Sequence, residues 1–385
     1  MKTLWLTRRA ANLCVKLVQM THPPLTPRAR RVLTLVRRHG SLTRSALIRD
    51  TGLSGTAVFR ATEELEAAGL VRAGEAIAQG RGQPSATIHI VPDAAFSLGL
   101  SVMTDRADVL LLDLAGAVRA RREISLPGMP RDALLDAVAR FRDEQPMREA
   151  IVGIGVAIAG FFTAPRTVNP SPELDDWALV DLESIVGRRL GLPAMVENIA
   201  AATAIGERLL GVGADLVSFC YVNVAAGFRA ATVIDGQVFR GHNGNAGEIA
   251  GLFHFAGRTT PNLNDLRAAL AQHGTVCDSI GDLVARFDPQ WPGVEEWRAA
   301  RQGSFDWLFQ TLRYAFDCQA IVLGGRLPRD LARRIVDEAA WPEHTLPDRR
   351  GVRAPAARLA VAHLDPELAA PLGAAALILH HRMFD

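Results

Sequence analysis

Between Ser41 and Ala68 the chain reads SLTRSALIRDTGLSGTAVFRATEELEAA, and its polar side chains are grouped as hydrogen-bonding chemistry requires. Ser54, Thr56, Ala57, Arg60 and Ala61 make a short-chained, outward-facing half of one helix. Such a surface enters a duplex major groove closely enough for side chains to reach base edges. Thr43 and Arg44, at the start of the preceding helix, are the next side chains placed to meet nucleic acid. Arg81 stands in Gln79-Gly80-Arg81-Gly82-Gln83-Pro84, where glycines permit a close backbone approach. From there it would project into a narrow minor groove, whose negative potential is enhanced. The bland alternatives are an αα-hairpin inside a larger helical domain and a solvated basic turn.

The elements that must position these residues are written in the same stretch. Ala46, Leu47, Leu53, Val58 and Leu65 are spaced to bury one side of two short helices. Thr43, Ser45 and Ser54 offer capping hydroxyls, and Gly52 stops the first helix in a tight turn. Thr26-Pro27 opens an earlier helix, with proline at the position that lacks an N–H partner anyway. Val32, Leu33, Leu35 and Val36 give that helix its apolar face, and Arg37 is expected on its charged surface, against DNA phosphates. Ala86–Val91 alternates as a strand should. Three helices and a hairpin with a basic tip read as a winged helix-turn-helix.

Charge supports that reading. Residues 1–91 hold 14 Lys/Arg against 5 Asp/Glu, whereas the remainder holds 29 against 36. A basic head on an acidic body is the footprint of a nucleic-acid-binding domain joined to something else. Cys14, Cys220, Cys277 and Cys318 show no metal-ligand spacing and suggest incidental thiols in a reducing cytoplasm. No apolar run is long enough to span a bilayer, and the first 24 residues make a poor signal peptide, so they read as an arm.

Past Val91-Pro92 the pattern becomes apolar strands alternating with helices, in two halves. Phe96–Val102, Val109–Leu114, Ile151–Ala159, Leu216–Val224, Ala230–Ile234 and Ile321–Gly325 read as strands. Arg131–Arg142, Ala200–Leu210 and Gly373–His381 read as helices. The expected division is an arm at 1–24, a winged helix-turn-helix at 25–91 and a first α/β lobe at 92–205 completed by 371–385. A second lobe takes 206–370.

Several segments in fixed order resemble the ROK family of repressors, open reading frames and kinases, in its repressor form. They are Gly80–Pro84, Gly153–Gly160, Val196-Glu197-Asn198-Ile199-Ala200-Ala201-Ala202, Ile234–Gly241 and Asn245-Ala246-Gly247-Glu248-Ile249. The resemblance implies an α/β body of two lobes, an actin-like, RNase H-like ATPase (sugar kinase) fold with a sugar site in its cleft. Gly160, Asn169, Asn198 and Glu248 match the family's effector positions. Read from residue chemistry alone, Asn198 is equally a satisfied turn residue and Glu248 a capping carboxylate.

Departures from the family pattern are as informative. Ile199 stands where family kinases carry the aspartate that accepts a proton from the attacking sugar hydroxyl. The first phosphate turn falls on Ser101–Asp105 without glycine, and the second on Ala225-Ala226-Gly227-Phe228-Arg229, too bulky for phosphate approach. The family's zinc ligands are replaced by Gly251 and a cysteine-free Phe255–Leu270, and His242 and His254 lack partners. The expectation is therefore no enzyme, no cofactor and no metal. It is a cytoplasmic transcriptional repressor of carbohydrate-related genes, binding a double-stranded DNA operator as a homodimer or higher oligomer. A sugar or sugar-derivative effector, or a protein partner, would act on its body. The rival reading is a sugar kinase with an appended basic domain.

Overall fold

The computed structural model describes residues 24–77, 85–341, 350–351, 355–365 and 367–384. Arg81 and the rest of the glycine-rich tip at 79–84 lie outside the described residues, as does the arm up to residue 23.

Local chemistry sets the head. Helix α1 (Pro27–His39) starts at Thr26, whose hydroxyl accepts from the Ala29 N–H. Strand β1 (Ser41–Thr43) leads into α2 (Arg44–Thr51), which Gly52 ends in the left-handed region at φ +67°. Helix α3 (Gly55–Ala67) follows, and strands β2 (Val71–Ile77) and β3 (Ser85–Ile90) close an antiparallel sheet in the order β1-β3-β2. Ala46, Leu47, Val58 and Leu65 are buried as their spacing requires, while Leu53 is half-buried. Ala61, expected on the outer face, is buried instead. It lies three residues after Val58 and four before Leu65, on the stripe that faces the core.

The body is two five-stranded sheets. In the first, β4 (Phe96–Val102), β5 (Ala107–Asp113), β6 (Val118–Ile124), β7 (Ile151–Ile158) and β10 (Ala194–Asn198) run in the order β10-β7-β4-β5-β6. The small hairpin β8 (Phe161–Ala164) and β9 (Thr167–Asn169) stands beyond β7. Helices α4 (Arg131–Asp143) and α5 (Leu182–Leu190) supply Leu134, Phe141 and Val186 to the core beside this sheet. Helix α6 (Ile199–Leu210) leaves the end of β10 directly. The second sheet has β11 (Phe219–Val224), β12 (Phe228–Ile234), β13 (Gln237–Phe239), β14 (Ala320–Gly325) and β15 (Arg358–Val361), in the order β13-β12-β11-β14-β15.

A helical insert covers the second sheet: α7 (Ala250–Phe255), α8 (Leu263–Gln272), α9 (Ile280–Arg286), the long α10 (Val294–Phe316) and then α11 (Arg329–Asp337). Its core is aromatic, with Phe228 edge-on to Phe253 at 5.3 Å and Phe305 at 6.0 Å from Phe309.

The last helix, α12 (Ala369–Met383), belongs to the first sheet and fixes the molecule's geometry. A Cβ at Gly99, Gly155 or Gly373 would strike the carbonyl of Pro371, Ala374 or Ala202. These glycines let α12 lie with its backbone against β4, β7 and α6.

Head and body share a core. Leu33, Val36 and Leu65 join Leu110, Leu112, Leu377 and Phe384 in one buried cluster. Arg30 donates to the carbonyls of His381 (3.0 Å) and Phe384 (3.3 Å). Arg37 is in this seam too, its guanidinium 5.1 Å from the centre of the Phe384 ring. Burial, with repulsion from Arg208 behind it, pulls its pKa down to about 10. The expectation that Arg37 faces DNA phosphates is overturned: tertiary contact with Phe384, just past α12, and with the Leu209 carbonyl claims it.

Candidate functional site

The exposed face of α3 carries Thr56, Phe59, Arg60 and Glu63. Ser54, also exposed, accepts from the Ala57 N–H at 3.2 Å and so caps the helix, holding its first turn open to a partner. Arg28 from α1 joins Ser54, Thr56, Ala57 and Arg60 around a surface recess. Arg28 and the helix start beside this recess suit a backbone phosphate, which leaves Arg60 to reach a base edge. Ala57 itself is half-buried at the edge of this face. Thr43 does not belong to it: it is only 6% exposed, and its hydroxyl accepts from the Ala46 N–H to cap α2. Arg44 is held within the head, over the Phe59 ring at 5.2 Å and 3.8 Å from Glu66.

The second site is the cleft between the two sheets, a cavity of about 350 Å³. Gly160, Asn198 and Glu248 meet here, together with Asp105, Thr203, Asn223, Arg229 and Arg326. Asn169 does not line it; its carbonyl sits behind Gly160, 2.6 Å from where a Cβ would be. That contact explains the glycine, whose φ of +141° also disfavours a side chain.

The polar groups expected to hold a sugar are already partnered. Asn198 caps α6, its Oδ1 accepting from the Ala200 N–H and its Nδ2 donating to the Gly160 carbonyl, both at 2.8 Å. Arg229, 7% exposed, reaches across from β12. Its Nη1 donates to the Gly160 carbonyl at 3.2 Å and ion-pairs with Glu248, and its Nη2 donates to the Ala246 carbonyl at 3.2 Å. Burial holds the Glu248 carboxyl above its ordinary range, with Arg229 opposing; burial likewise lowers Arg229. The sequence marked Arg229 as an obstacle to phosphate, not as a bridge between lobes. Its partners are remote in sequence, so no local pattern could have shown the bridge.

A second bridge crosses the opposite wall. Arg326, at the end of β14, meets both oxygens of Asp105 at 3.1 Å and Glu367 at 3.3 Å. Asp105 also accepts from the Gly281 N–H at 2.9 Å. This ion pair stands at the turn whose sequence position matches the family's first phosphate loop. Phe228 and Arg229, in the second phosphate turn, are both buried in strand β12. Ile199 opens α6 at the cleft wall and offers only methyl groups where a base would stand. Outside the cleft, Arg240 donates to Glu197 at 2.7 Å, and Asn245 exchanges two hydrogen bonds with the Phe162 backbone at 2.7 and 2.8 Å. Among the described residues no cluster of three His, Cys, Asp or Glu could hold a metal ion, and no helix is long and apolar enough to cross a membrane.

Comparison with known proteins places both parts. Residues 97–257 match the ROK family model and residues 24–82 the MarR family model. An uncharacterized protein of Sinorhizobium fredii is 28% identical over 330 residues, 82% of each chain. The xylose repressor of Bacillus subtilis is 25% identical over 224 residues, 57% of this chain and 58% of the repressor's own length. A solved ROK family transcriptional regulator, described as a homologue of the Escherichia coli MLC protein, shares the fold with a TM-score of 0.65. It has 19% identity and covers 91% of this chain and 95% of that one. Residues 97–257 are thus similar to the ROK family and residues 24–82 to the MarR family.

Proposed function

We propose that the chain is a sequence-specific DNA-binding repressor of carbohydrate-related genes, whose kinase-like body senses a small ligand and transfers no phosphate. The observation that carries this reading is that one helix serves both sites. Helix α12 begins at the cleft with Ala369 and Ala370 and ends on the head, where Arg30 and Arg37 meet the His381 and Phe384 end. Helix α6 runs alongside, from Asn198 in the cleft to the Leu209 carbonyl beside Arg37.

A ligand that favours one spacing of the lobes therefore acts on the seat of the head. It shifts the equilibrium only by its differential affinity for the two arrangements. In a homodimer such a shift alters the spacing of two α3 helices, which must match half-sites about one helical turn apart. The name of the xylose repressor supports carbohydrate genes as the target. Such a regulator works in the cytoplasm, beside its operator. The kinase reading loses on Ile199, which stands where a base is needed, and on the Asp105–Arg326 pair and Arg229, which occupy places that phosphoryl transfer needs open.

The test is selection from randomised duplex DNA with the full chain, followed by titration of the recovered duplex with common pentoses, hexoses, amino sugars and their phosphates. Recovery of a two-fold related sequence whose affinity one of these compounds changes supports the proposal. Failure to enrich any sequence sinks it.

A further inference from the structure

On α3, the helix proposed to read DNA, the side chain at position 59 lies outside the core. Helical spacing puts Val58, Ala61, Thr62 and Leu65 in the core, and Phe59 projects away from them with Thr56, Arg60 and Glu63. Phe59 is 46% exposed, and burying a ring of this size in place of water is strongly favourable. Its position is also fixed. The Arg44 guanidinium lies 5.2 Å from the ring centre and is drawn toward Glu66 at 3.8 Å, so one face of the ring is covered and its outward edge is free.

We propose that Phe59 is a specificity-determining residue that packs on the 5-methyl group of one thymine in each half-site. Three observations converge on this partner. The ring sits one residue before Arg60 and three after Thr56, within the first turns of the helix, the part that contacts base edges in the major groove. The only apolar group that a base pair presents in that groove is the thymine methyl, which phenylalanine side chains contact. The remaining exposed residues of this half, Thr56 and Arg60, are polar and suit hydrogen-bonding edges, so the ring supplies the one type of contact they lack. Arg44, expected from sequence to touch DNA itself, becomes a positioning residue that holds the ring.

This inference rests on the reading of the chain as a DNA-binding regulator. Its test uses the full chain and the duplex recovered by selection. Each thymine in turn is replaced by deoxyuridine, which removes the methyl group and leaves every hydrogen-bonding edge intact. Fluorescence anisotropy then gives the affinity of each duplex for the parent chain and for Phe59→Ala and Phe59→Leu.

For the parent, deoxyuridine at one thymine per half-site is expected to weaken binding roughly fourfold, the transfer value of one buried methyl group. Phe59→Ala should be indifferent at that position and keep the parent's response at every other thymine. Phe59→Leu should keep part of the effect. Because Phe59 is outside the core, both variants should melt within a degree or two of the parent, so lost folding is separable from lost reading. A Phe59→Ala profile identical to the parent's, or a parent that ignores every thymine methyl, overturns the proposal. A chain that enriches no duplex overturns the underlying DNA-binding reading as well.

Discussion

At the scale of single residues, the two sites differ in what their polar groups are free to do. Arg60 is exposed beside the Ser54-capped start of α3, with its charge available. Replacing it by alanine should cost about 1–3 kcal/mol of operator binding and relax preference at one base position. Competition binding against single-position variants of the operator measures this; an equal loss on all sequences would make Arg60 a phosphate contact instead. Arg229 is the opposite case, a buried cation committed to Gly160, Ala246 and Glu248. Arg229→Gly removes one lobe bridge and leaves Glu248 without its counter-charge, so the melting midpoint should fall, by about 1–3 kcal/mol of stability. The same change frees the carboxylate, and one acceptor position of the Gly160 carbonyl, for hydroxyl groups. Calorimetric titration with xylose and glucose should therefore show tighter binding to the variant than to the parent. Equal binding to both would mean that Arg229 does not stand in the way of a sugar.

At the scale of elements, α12 is the part whose seating matters most. Gly155→Ala places a methyl group against the Ala374 carbonyl, backbone against backbone, where neither β7 nor α12 can yield cheaply. We expect a drop in melting midpoint together with weakened operator binding, although residue 155 is remote from α3. A variant that melts lower yet binds the operator with unchanged affinity would detach α12 from the control of the head. Arg37 makes the complementary prediction. Its stem and guanidinium cover Phe384 in the seam, so Arg37→Ala should lower the melting midpoint through lost packing. The slope of log affinity against log salt should stay as it is, because no phosphate contact is removed. A flatter slope would return Arg37 to the DNA surface.

At the scale of the whole molecule, the lobes are bridged at both walls of the cleft by charges that a phosphate-transferring enzyme would leave to its substrates. The purified chain with ATP and any common hexose or amino sugar should show no turnover above the rate without enzyme. Phosphorylated product whose yield follows the chain through purification would reverse that conclusion.

The amino-acid sequence by itself determined the parts whose signals are local. Caps at Thr26, Thr43 and Ser54, the stop at Gly52 and the apolar spacing of α2 and α3 fix the helices of the head, since each acts within one turn of the chain. The buried strands Phe96–Val102 and Ile151–Ile158 were legible for the same reason, as short apolar runs bounded by turn residues. The insert of helices from Ala250 to Phe316 was not read, because its pattern competes with no nearby strand to mark its limits. What only the tertiary structure decided is which polar groups are already spent. Asn198 and Arg37 looked available in sequence and are consumed by a cap with a cleft contact and by the head–body seam. Arg229 finds its partners 15 to 69 residues away, and Arg326 meets Asp105 across 221. A hydrogen bond or ion pair is settled by position in space, and residues so far apart along the chain acquire a relative position only when the sheets, α6 and α12 have packed.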